Sequence, residues 1–217
     1  MTLAIFDLDN TLLAGDSDNA WCEFVADLGL VDRSDYLQKT NGFYADYCRG
    51  ELDIVAYQRF ILAPLVGVEP EQLLRWHAQF MREKIEAIIL PEAQALVESH
   101  RTQGHTPIII TATNTFITAP IAKRLGIEHL LATLPEQRNG FYTGDVTGIP
   151  CYREGKVERL ALWLTEHHEN LTGSFFYSDS HNDLPLLGQV EHPVAVDPDD
   201  QLRAYATQHG WPILSLR

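Results

Sequence analysis

The sequence predicts an α/β fold in which helices cover a parallel, Rossmann-like sheet and a helical segment is inserted after the first strand. Three observations lead to this fold class. Short β-rich runs alternate with longer helical patterns. Three of the short runs are each followed at once by a cluster of polar residues. A long stretch after the first run carries apolar residues at helical spacing without strand-like alternation.

The strands are predicted from β-rich runs that are bounded by polar or turn-forming residues. Three of these runs are followed by the clusters DLDNT, TATNT and DSHND. In open α/β sheets, ligands bind outside the carboxyl ends of the strands, so we expect the three clusters to meet at one edge of the sheet. The predicted strands are Leu3–Phe6, Thr106–Ile110, Ser174–Ser178 and Pro193–Val196.

The helices of the sheet domain are predicted from helical spacing of apolar residues, and three of them are followed by a glycine that ends the pattern. These glycines are Gly104, Gly126 and Gly210. The predicted helices are Pro91–Gln103, Thr115–Leu125, Gly155–His168 and Asp199–His209.

Residues 15–86 are too long for a simple crossover, and Trp21, Phe24 and Leu28 follow a helical period. We therefore expect a helical cap domain over residues 15–86, with Gly15 as its candidate hinge, and a core domain formed by residues 1–14 and 87–217. Most aromatic residues of the insert are expected to pack a small core of its own, and a few to contact a substrate.

Charge and composition exclude several classes of function. The formal net charge of −14 argues against nucleic acids and anionic membrane surfaces as partners, because such binding depends on Lys and Arg. No apolar run reaches the roughly 20 residues that a membrane span needs, so a cytoplasmic location is expected. Cys22, Cys48 and Cys151 lack metal-ligand spacing and are expected to be buried free thiols. Nothing in the sequence indicates an oligomeric state.

Paired carboxylates are the strongest functional signal. Asp7 and Asp9 lie two positions apart after the first strand, and Asp179 and Asp183 follow another strand. Two unit charges 4 Å apart repel by about 4 kcal/mol at an effective dielectric near 20, so such a group needs a cation or must lose charge. Mg²⁺ favours oxygen ligands and fits an aspartate-rich pocket better than zinc does.

These residues resemble the motifs of the haloacid dehalogenase superfamily of phosphohydrolases, especially its phosphoserine phosphatase-like branch with a helical cap. DLDNT resembles the DxDxT motif of that family, and SDSHND resembles its DxxxD motif. Thr111 in IIITAT and Lys156 in GKVERL match the second and third motifs. The four motifs occur in the family's order, and the resemblance spans the whole chain.

The resemblance implies a phosphoryl-transfer site. Asp7 is then the nucleophile that forms an aspartyl phosphate, and Asp9 is the general acid and base. Thr111 would donate to the phosphoryl group, with Thr113 as the alternative donor. Lys156 would offset the clustered negative charge, with Arg153 as the alternative.

The same resemblance implies a Mg²⁺ site and a substrate site. Asp7, the Asp9 backbone carbonyl and Asp179 would hold the ion, and Asp183 would orient its surroundings. Asn182 is expected to contact the phosphate or the substrate. His181 either contacts the substrate or shapes its loop.

The substrate is expected to be a small phosphate ester. Asp16 occupies the position of the acid that meets the substrate amino group in phosphoserine phosphatases. Ile61 occupies the position of the arginine that binds the substrate carboxylate there, and Arg59, two residues earlier, is a doubtful substitute because it faces another side of the helix. An amino-alcohol phosphate such as histidinol phosphate, which near relatives hydrolyse, is therefore expected.

Three alternatives remain open. The chain is a phosphoserine phosphatase, or a phosphotransferase or phosphomutase of the same superfamily. The third alternative, from a different functional class, is a phosphoacceptor receiver module. Receivers also gather acids, a Ser or Thr and a Lys at strand ends, but they are shorter and lack a large helical insert.

Overall fold

The fold is an α/β sandwich with helices on both faces of one seven-stranded sheet. The structure, a computed structural model, describes residues 2–217. The strands are β1 Leu3–Phe6, β2 Thr106–Asn114, β3 His129–Arg138, β4 Phe141–Thr147, β5 Phe175–Ser178, β6 His192–Val196 and β7 Ile213–Leu214. Their order in the sheet is β4-β3-β2-β1-β5-β6-β7, and every pair is parallel except β3 with β4.

The helices follow the predicted α/β alternation. Several begin at an Asp or Asn whose side chain accepts a backbone N–H of the first turn, as at Asp53 before α3 and Asn114 before α6. Glycine in the left-handed conformation ends α2 at Gly50 and α9 at Gly210. The helices are α1 Ser17–Asp27, α2 Arg33–Arg49, α3 Ile54–Leu62, α4 Pro70–Phe80, α5 Pro91–Thr102, α6 Thr115–Arg124, α7 Glu154–His167, α8 Leu184–Leu187 and α9 Asp200–His209.

The predicted strands and core helices agree with the structure to within about one residue at most ends, but the sheet is larger than predicted. Strand β2 continues to Asn114, and β3, β4 and β7 were not predicted. The turn between β3 and β4 is Asn139-Gly140, with φ of 53° and 84°. Asn-Gly between strands is a strong hairpin signal, so the sequence contained the information for this pair.

The insert at residues 15–86 is helical, as predicted, and holds α1 to α4. The chain enters and leaves it side by side, because Leu13 pairs with Ile89 in an antiparallel bridge and the Ala14 N–H donates to the Ile88 carbonyl oxygen at 2.7 Å. A π-helical turn, Met81–Ile85, precedes the exit.

The aromatic residues of the insert pack largely against one another, as predicted, but their core is not separate from that of the sheet, which corrects the prediction in that respect. Trp21 packs edge-on against Phe80 of the insert and also against Phe116 of α6, with ring centroids 5.1 Å apart in both cases. The apolar cluster that contains Trp21 extends to Phe6 of β1. The insert is therefore packed continuously onto one face of the sheet.

The other face of the sheet has its own apolar cluster, which includes Leu3, Ile5 and Phe176. All four residues of β1 are buried, because helices cover both faces of a central parallel strand. This burial fixes the position of the loop that follows β1, where the paired carboxylates begin.

Two further predictions concern surface features. Within residues 2–217, no helix has the length and apolar character needed to cross a membrane. All three cysteines are free, and Cys22 and Cys151 are buried as expected. Cys48 is exposed, so the prediction of a buried thiol is wrong there; it lies in the last turn of α2, a helix that buries only Tyr36 and Thr40, both in its first half.

Candidate active site

Asp7 stands at the carboxyl end of β1, between two neighbouring strands. Its backbone N–H donates to the Tyr177 carbonyl oxygen at 2.9 Å, which continues the pairing of β1 with β5. Asp7 is 6% exposed, and its Oδ1 accepts from Lys156 Nζ at 2.8 Å. Burial raises the pKa of Asp7 to about 7, although the Lys156 ammonium lowers it.

Lys156 joins two acids that come from different strand ends. Nζ lies 2.8 Å from Asp7 Oδ1 and 2.8 Å from Asp183 Oδ2, and the Ser178 hydroxyl also donates to Asp183 Oδ2 at 2.7 Å. Burial lowers the pKa of Lys156, but the two carboxylates outweigh this effect and the net shift is upward. The ammonium therefore stays charged and neutralises part of the acid cluster.

The backbone before Lys156 is closely packed. A Cβ at Gly155 would overlap the Pro150 carbonyl oxygen, so only glycine allows the first turn of α7 to lie this close to the preceding loop. This contact sets the position of Lys156. Arg153, the alternative cation, instead donates to the Gly50 carbonyl oxygen at 2.8 Å.

Asp9 is held by two hydrogen-bond donors. Its Oδ1 accepts from the Ser17 N–H at 2.6 Å, and its Oδ2 accepts from the Thr113 hydroxyl at 2.8 Å. Burial raises the pKa of Asp9 to about 6, with a smaller contribution from the Asp16 carboxylate. A carboxyl group that titrates near neutral pH can both give and take a proton.

The two threonines of the second motif have different surroundings. Thr111 is buried and lines the cavity described below, and its Oγ1 accepts from the Thr113 N–H at 3.2 Å, which leaves the Thr111 hydroxyl proton free to donate. Thr113 also lines the cavity, but its hydroxyl contacts Asp9 and Asp18.

Asp179 directly follows β5. Its Oδ1 accepts from the Thr11 hydroxyl at 3.3 Å, and its backbone N–H donates to Thr11 Oγ1 at 3.1 Å. Burial raises the pKa of Asp179 well above its ordinary value, and the Asp7 and Asp183 carboxylates raise it further. Asp179 is thus close enough to Asp7 for the two charges to repel.

The donor set at this edge is compatible with Mg²⁺. Over residues 2–217, no three His, Cys, Asp or Glu side chains are grouped as a ready metal cluster. The predicted site needs only two carboxylates, Asp7 and Asp179, with the Asp9 backbone carbonyl as a third oxygen. Mg²⁺ commonly uses one or two carboxylates and completes its shell with water and substrate phosphate. Asp183 is already bonded to Lys156, so its carboxylate faces the ammonium.

Asn182 and His181 follow Asp179 in a short helical turn, His181–Asp183. Asn182 lines the cavity, where its Oδ1 accepts from the Tyr152 hydroxyl and its Nδ2 donates to the Tyr47 carbonyl oxygen, both at 3.0 Å. His181 contacts Asp199 Oδ2 through Nδ1 and through its backbone N–H, both at 2.8 Å. These bonds favour the role of His181 in shaping the loop.

The predicted catalytic, metal and substrate residues, except Asp179 and His181, line one cavity of about 410 Å³ between the strand ends and the insert. Asp16 lies in its wall and caps α1, since Oδ1 accepts from the Asn19 N–H at 2.8 Å. Sequence reasoning missed Asp18 and the aromatic part of the wall. The period-two spacing of Asp16 and Asp18 was a visible signal, but nothing local identifies the aromatic residues, which are Phe43, Tyr44, Tyr47, Tyr57 and Tyr152.

Arg59 does not reach the cavity wall. It forms a bidentate ion pair with Asp145 of β4, at 3.1 and 3.0 Å, and both side chains are largely exposed. Ile61, two residues later, is buried in the apolar core. The doubt about Arg59 as a carboxylate ligand is consistent with this geometry.

Comparison with known proteins identifies the family. A family model described as haloacid dehalogenase-like hydrolase matches residues 4–188. The chain belongs to this family. A histidinol-phosphatase from Neisseria meningitidis serogroup C (strain 8013) is 44% identical to this haloacid dehalogenase-like hydrolase over 99% of each chain. Phosphoserine phosphatase SerB1 from Mycobacterium tuberculosis (strain ATCC 25618 / H37Rv) is 31% identical, covering 99% of this chain and 70% of its own.

Solved structures share the fold of this haloacid dehalogenase-like hydrolase. A protein of unknown function from Bordetella pertussis Tohama I is 41% identical and superimposes with a TM-score of 0.93 over 100% of both chains. A phosphoserine phosphatase with a phospho-aspartyl intermediate analogue is 16% identical and has a TM-score of 0.72, covering 100% of this chain and 93% of its own. Because the chain belongs to this hydrolase family and its relatives are named as phosphatases, it is an enzyme of the phosphatase class, as the sequence motifs predicted.

Proposed function

We propose that this hydrolase is a Mg²⁺-dependent phosphomonoester phosphatase that acts through an aspartyl phosphate, with a small amino-alcohol phosphate such as histidinol phosphate as its substrate. The charge of the cavity wall is the observation that supports this substrate class. Among the described lining residues, Lys156 is the one cationic side chain, and it is bonded to Asp7 and Asp183. This wall therefore offers no free cation to a carboxylate on the leaving group.

The nucleophile in this proposal is Asp7 Oδ2. Lys156 binds the other oxygen, Oδ1, and so orients the carboxylate while its charge favours the ionised form. Attack forms a bond between Oδ2 and phosphorus and breaks the bond from phosphorus to the leaving alkoxide, so Asp7 carries the phosphoryl group. Water then attacks phosphorus, the bond from phosphorus to Asp7 Oδ2 breaks, and phosphate leaves while the Asp7 carboxylate is regenerated.

Asp9 handles the protons of both steps. It donates a proton to the leaving alkoxide oxygen and later takes one from the attacking water, and a pKa of about 6 suits both directions. Thr111 lies in the same cavity with its hydroxyl proton free, so it can donate to a phosphoryl oxygen as charge develops there.

Mg²⁺ would be held by the Asp7 and Asp179 carboxylates and the Asp9 backbone carbonyl oxygen. When bound, the ion neutralises charge on the phosphoryl oxygens and on the carboxylate that attacks them. Thr11 positions Asp179 for this task, because it contacts both the side chain and the backbone of that residue.

The leaving group faces the insert. Asp16 Oδ1 is used in capping α1, and the Asp16 carboxylate still lies in the cavity wall, where it can accept from an ammonium group. Phenol and phenyl rings of the wall, such as Tyr57 and Phe43, offer faces to a cation or to a flat ring. The 44% identical histidinol-phosphatase supports the same substrate class.

We also propose that the chain divides into two domains. Residues 1–14 and 87–217 form the core that holds the phosphoryl-transfer groups, and residues 15–86 form the cap. The antiparallel bridge between Leu13 and Ile89 supports this boundary, because it brings both connections of the insert to one place. Gly15 lies two residues after Leu13 of this bridge and is the candidate hinge.

A panel of phosphate esters with Mg²⁺ tests the substrate class. A substrate carboxylate that lies roughly 8 Å from one uncompensated negative charge of the cavity wall is repelled by about 2 kcal/mol at an effective dielectric near 20. This repulsion corresponds to about a 30-fold reduction in kcat/KM. We therefore expect histidinol phosphate to exceed phosphoserine by at least about tenfold. Asp16→Asn should reduce this preference, and Asp7→Asn should abolish turnover of every ester.

Other outcomes would assign another activity. Fastest turnover of phosphoserine, with no hydrolysis of histidinol phosphate, would contradict the substrate class and favour a phosphoserine phosphatase. Product analysis with an added acceptor alcohol distinguishes hydrolysis from phosphoryl transfer. We expect one inorganic phosphate for each alcohol released, and a phosphorylated acceptor would identify a phosphotransferase.

A further inference from the structure

The Thr113 hydroxyl lies between two carboxyl groups. Its Oγ1 is 2.8 Å from Asp9 Oδ2 and 3.1 Å from Asp18 Oδ2. Thr113 and Asp18 are both buried, at 4% and 3% exposed. A hydroxyl has one proton to donate, so it cannot donate to two carboxylates at once. One of the two carboxyl groups must therefore carry a proton and donate it to Thr113 Oγ1.

The other partners of the two acids indicate where that proton lies. Asp9 Oδ1 already accepts the Ser17 N–H at 2.6 Å, so Asp9 is surrounded by donors that suit a carboxylate. Asp18 Oδ1 is buried, and among the described residues no donor meets it at hydrogen-bond distance and angle, although the Tyr57 phenol is near enough to lower the pKa of Asp18 in part. Burying an oxygen that has no hydrogen-bond partner costs far less free energy in a neutral carboxylic acid than in a charged carboxylate. The proton therefore belongs on Asp18 rather than on Asp9.

We propose that Asp18 is a neutral carboxylic acid that positions Asp9 through Thr113. The Asp18 O–H donates to Thr113 Oγ1, and the Thr113 O–H donates to Asp9 Oδ2. This chain of two hydrogen bonds has one direction, and it fixes the orientation of Asp9 toward the cavity. The inference rests on the proposed role of Asp9 as general acid and base, and it makes Asp18 a positioning residue.

The groups that face Asp18 agree with a neutral acid. Burial raises the pKa of Asp18 well above its ordinary value, and the Asp16 and Asp9 carboxylates raise it further, while Thr113 and the Tyr57 phenol lower it. None of these groups is cationic. The Cys22 thiol and the Tyr36 phenol, which also interact with Asp18, are uncharged at neutral pH because burial raises the pKa of both.

The kinetic test uses p-nitrophenyl phosphate, which has no amino group for Asp18 to bind. Asp18→Ala should lower kcat about tenfold, the size expected for loss of one positioning hydrogen bond to a charged group. Asp18→Asn should restore most of that loss, because an amide N–H can still donate to Thr113 Oγ1. Thr113→Val should resemble Asp18→Ala, and Thr113→Ser should be close to the parent.

An infrared measurement on the unreacted enzyme tests the protonation state without activity. At neutral pH we expect a protonated-carboxyl C=O band that is absent in Asp18→Asn, shifted in Thr113→Val and unchanged in Asp35→Asn, an exposed control. This band decides the inference even if the proposed substrate is wrong.

Two results would overturn it. The first is an unchanged infrared band in Asp18→Asn. The second is an Asp18→Asn enzyme whose KM rises only for amine-bearing esters while kcat stays constant, since Asp18 would then be an anionic ligand of the substrate.

Discussion

Replacing Lys156 by methionine removes the charge that two buried acids share, and it keeps most of the side-chain volume. Lys156 is 3% exposed, and its ammonium lies 2.8 Å from oxygens of both Asp7 and Asp183. Breaking a buried ion pair by removing one partner costs about 3 to 5 kcal/mol, because the remaining charge is left buried and uncompensated. We expect Lys156→Met to lower the free energy of unfolding by that amount at pH 8 without added metal.

The free energy of unfolding that Lys156→Met loses, its stability deficit, should depend on pH, and the ionisation of Asp7 determines the direction of that dependence. Burial raises the pKa of Asp7 from an ordinary value of 3.8 to about 7, so folding favours the protonated form. The stability that this group contributes is present below pH 3.8 and is lost as pH rises through about 7. Without Lys156 the pKa of Asp7 is higher still, so the variant loses more stability than the parent as the pH rises. The deficit relative to the parent should therefore shrink at about pH 5.

Urea unfolding at the two pH values measures this deficit. Lys84→Met is the matched control, because Lys84 also contacts two acids, Glu23 and Asp27, but on the surface. Such pairs contribute less than about 1 kcal/mol. Equal effects of the two substitutions at pH 8, or a deficit that grows toward low pH, would refute the buried charge arrangement.

Three further predictions follow from single features of the structure. Mg²⁺ affinity should increase from about pH 6 to about pH 8 with release of protons, because burial holds the pKa of Asp7 near 7; calorimetry in two buffers of different ionisation enthalpy measures this, and a pH-independent affinity would contradict it. Arg59→Ala should change KM for phosphoserine less than about twofold, because its ion pair is exposed and outside the cavity wall; a large rise in KM would identify a carboxylate ligand. Gly155→Ala should lower the melting temperature and kcat together, because the added Cβ would overlap the Pro150 carbonyl oxygen. Gly140→Ala is the control: open space surrounds Gly140, so only its positive φ opposes the substitution, and we expect a loss of about 1 kcal/mol in stability with kcat unchanged.

The predicted strands and helices of the core were found because their signals are local. Apolar runs such as Leu3–Phe6 must be buried on both faces in a central parallel strand, and a glycine such as Gly210 ends its helix through its own backbone conformation. Strand β7 has two exposed residues and is held by backbone pairing to β6, so no side-chain pattern marks it.

Prediction of the site was limited in the same way, because contacts between separate elements leave no local signal in the sequence. The order of the four motifs predicted that Asp7, Lys156 and Asp183 meet, and the structure brings them within hydrogen-bond distance. The sequence did not predict that Thr113 bridges Asp9 and Asp18, because that contact joins residues about 100 positions apart and depends on how α1 packs against the end of β2. Side-chain partners across elements are set by packing, which a single sequence does not display.

The central claim is that Asp7 carries the phosphoryl group, and rapid acid quenching followed by peptide mass spectrometry tests it most directly. With substrate and Mg²⁺ present, we predict a phosphorylated peptide whose modified residue is Asp7, with no such peptide in Asp7→Asn. A phosphoryl group on any other residue, or an Asp7→Asn enzyme that still hydrolyses phosphate esters at the parental rate, would contradict the account.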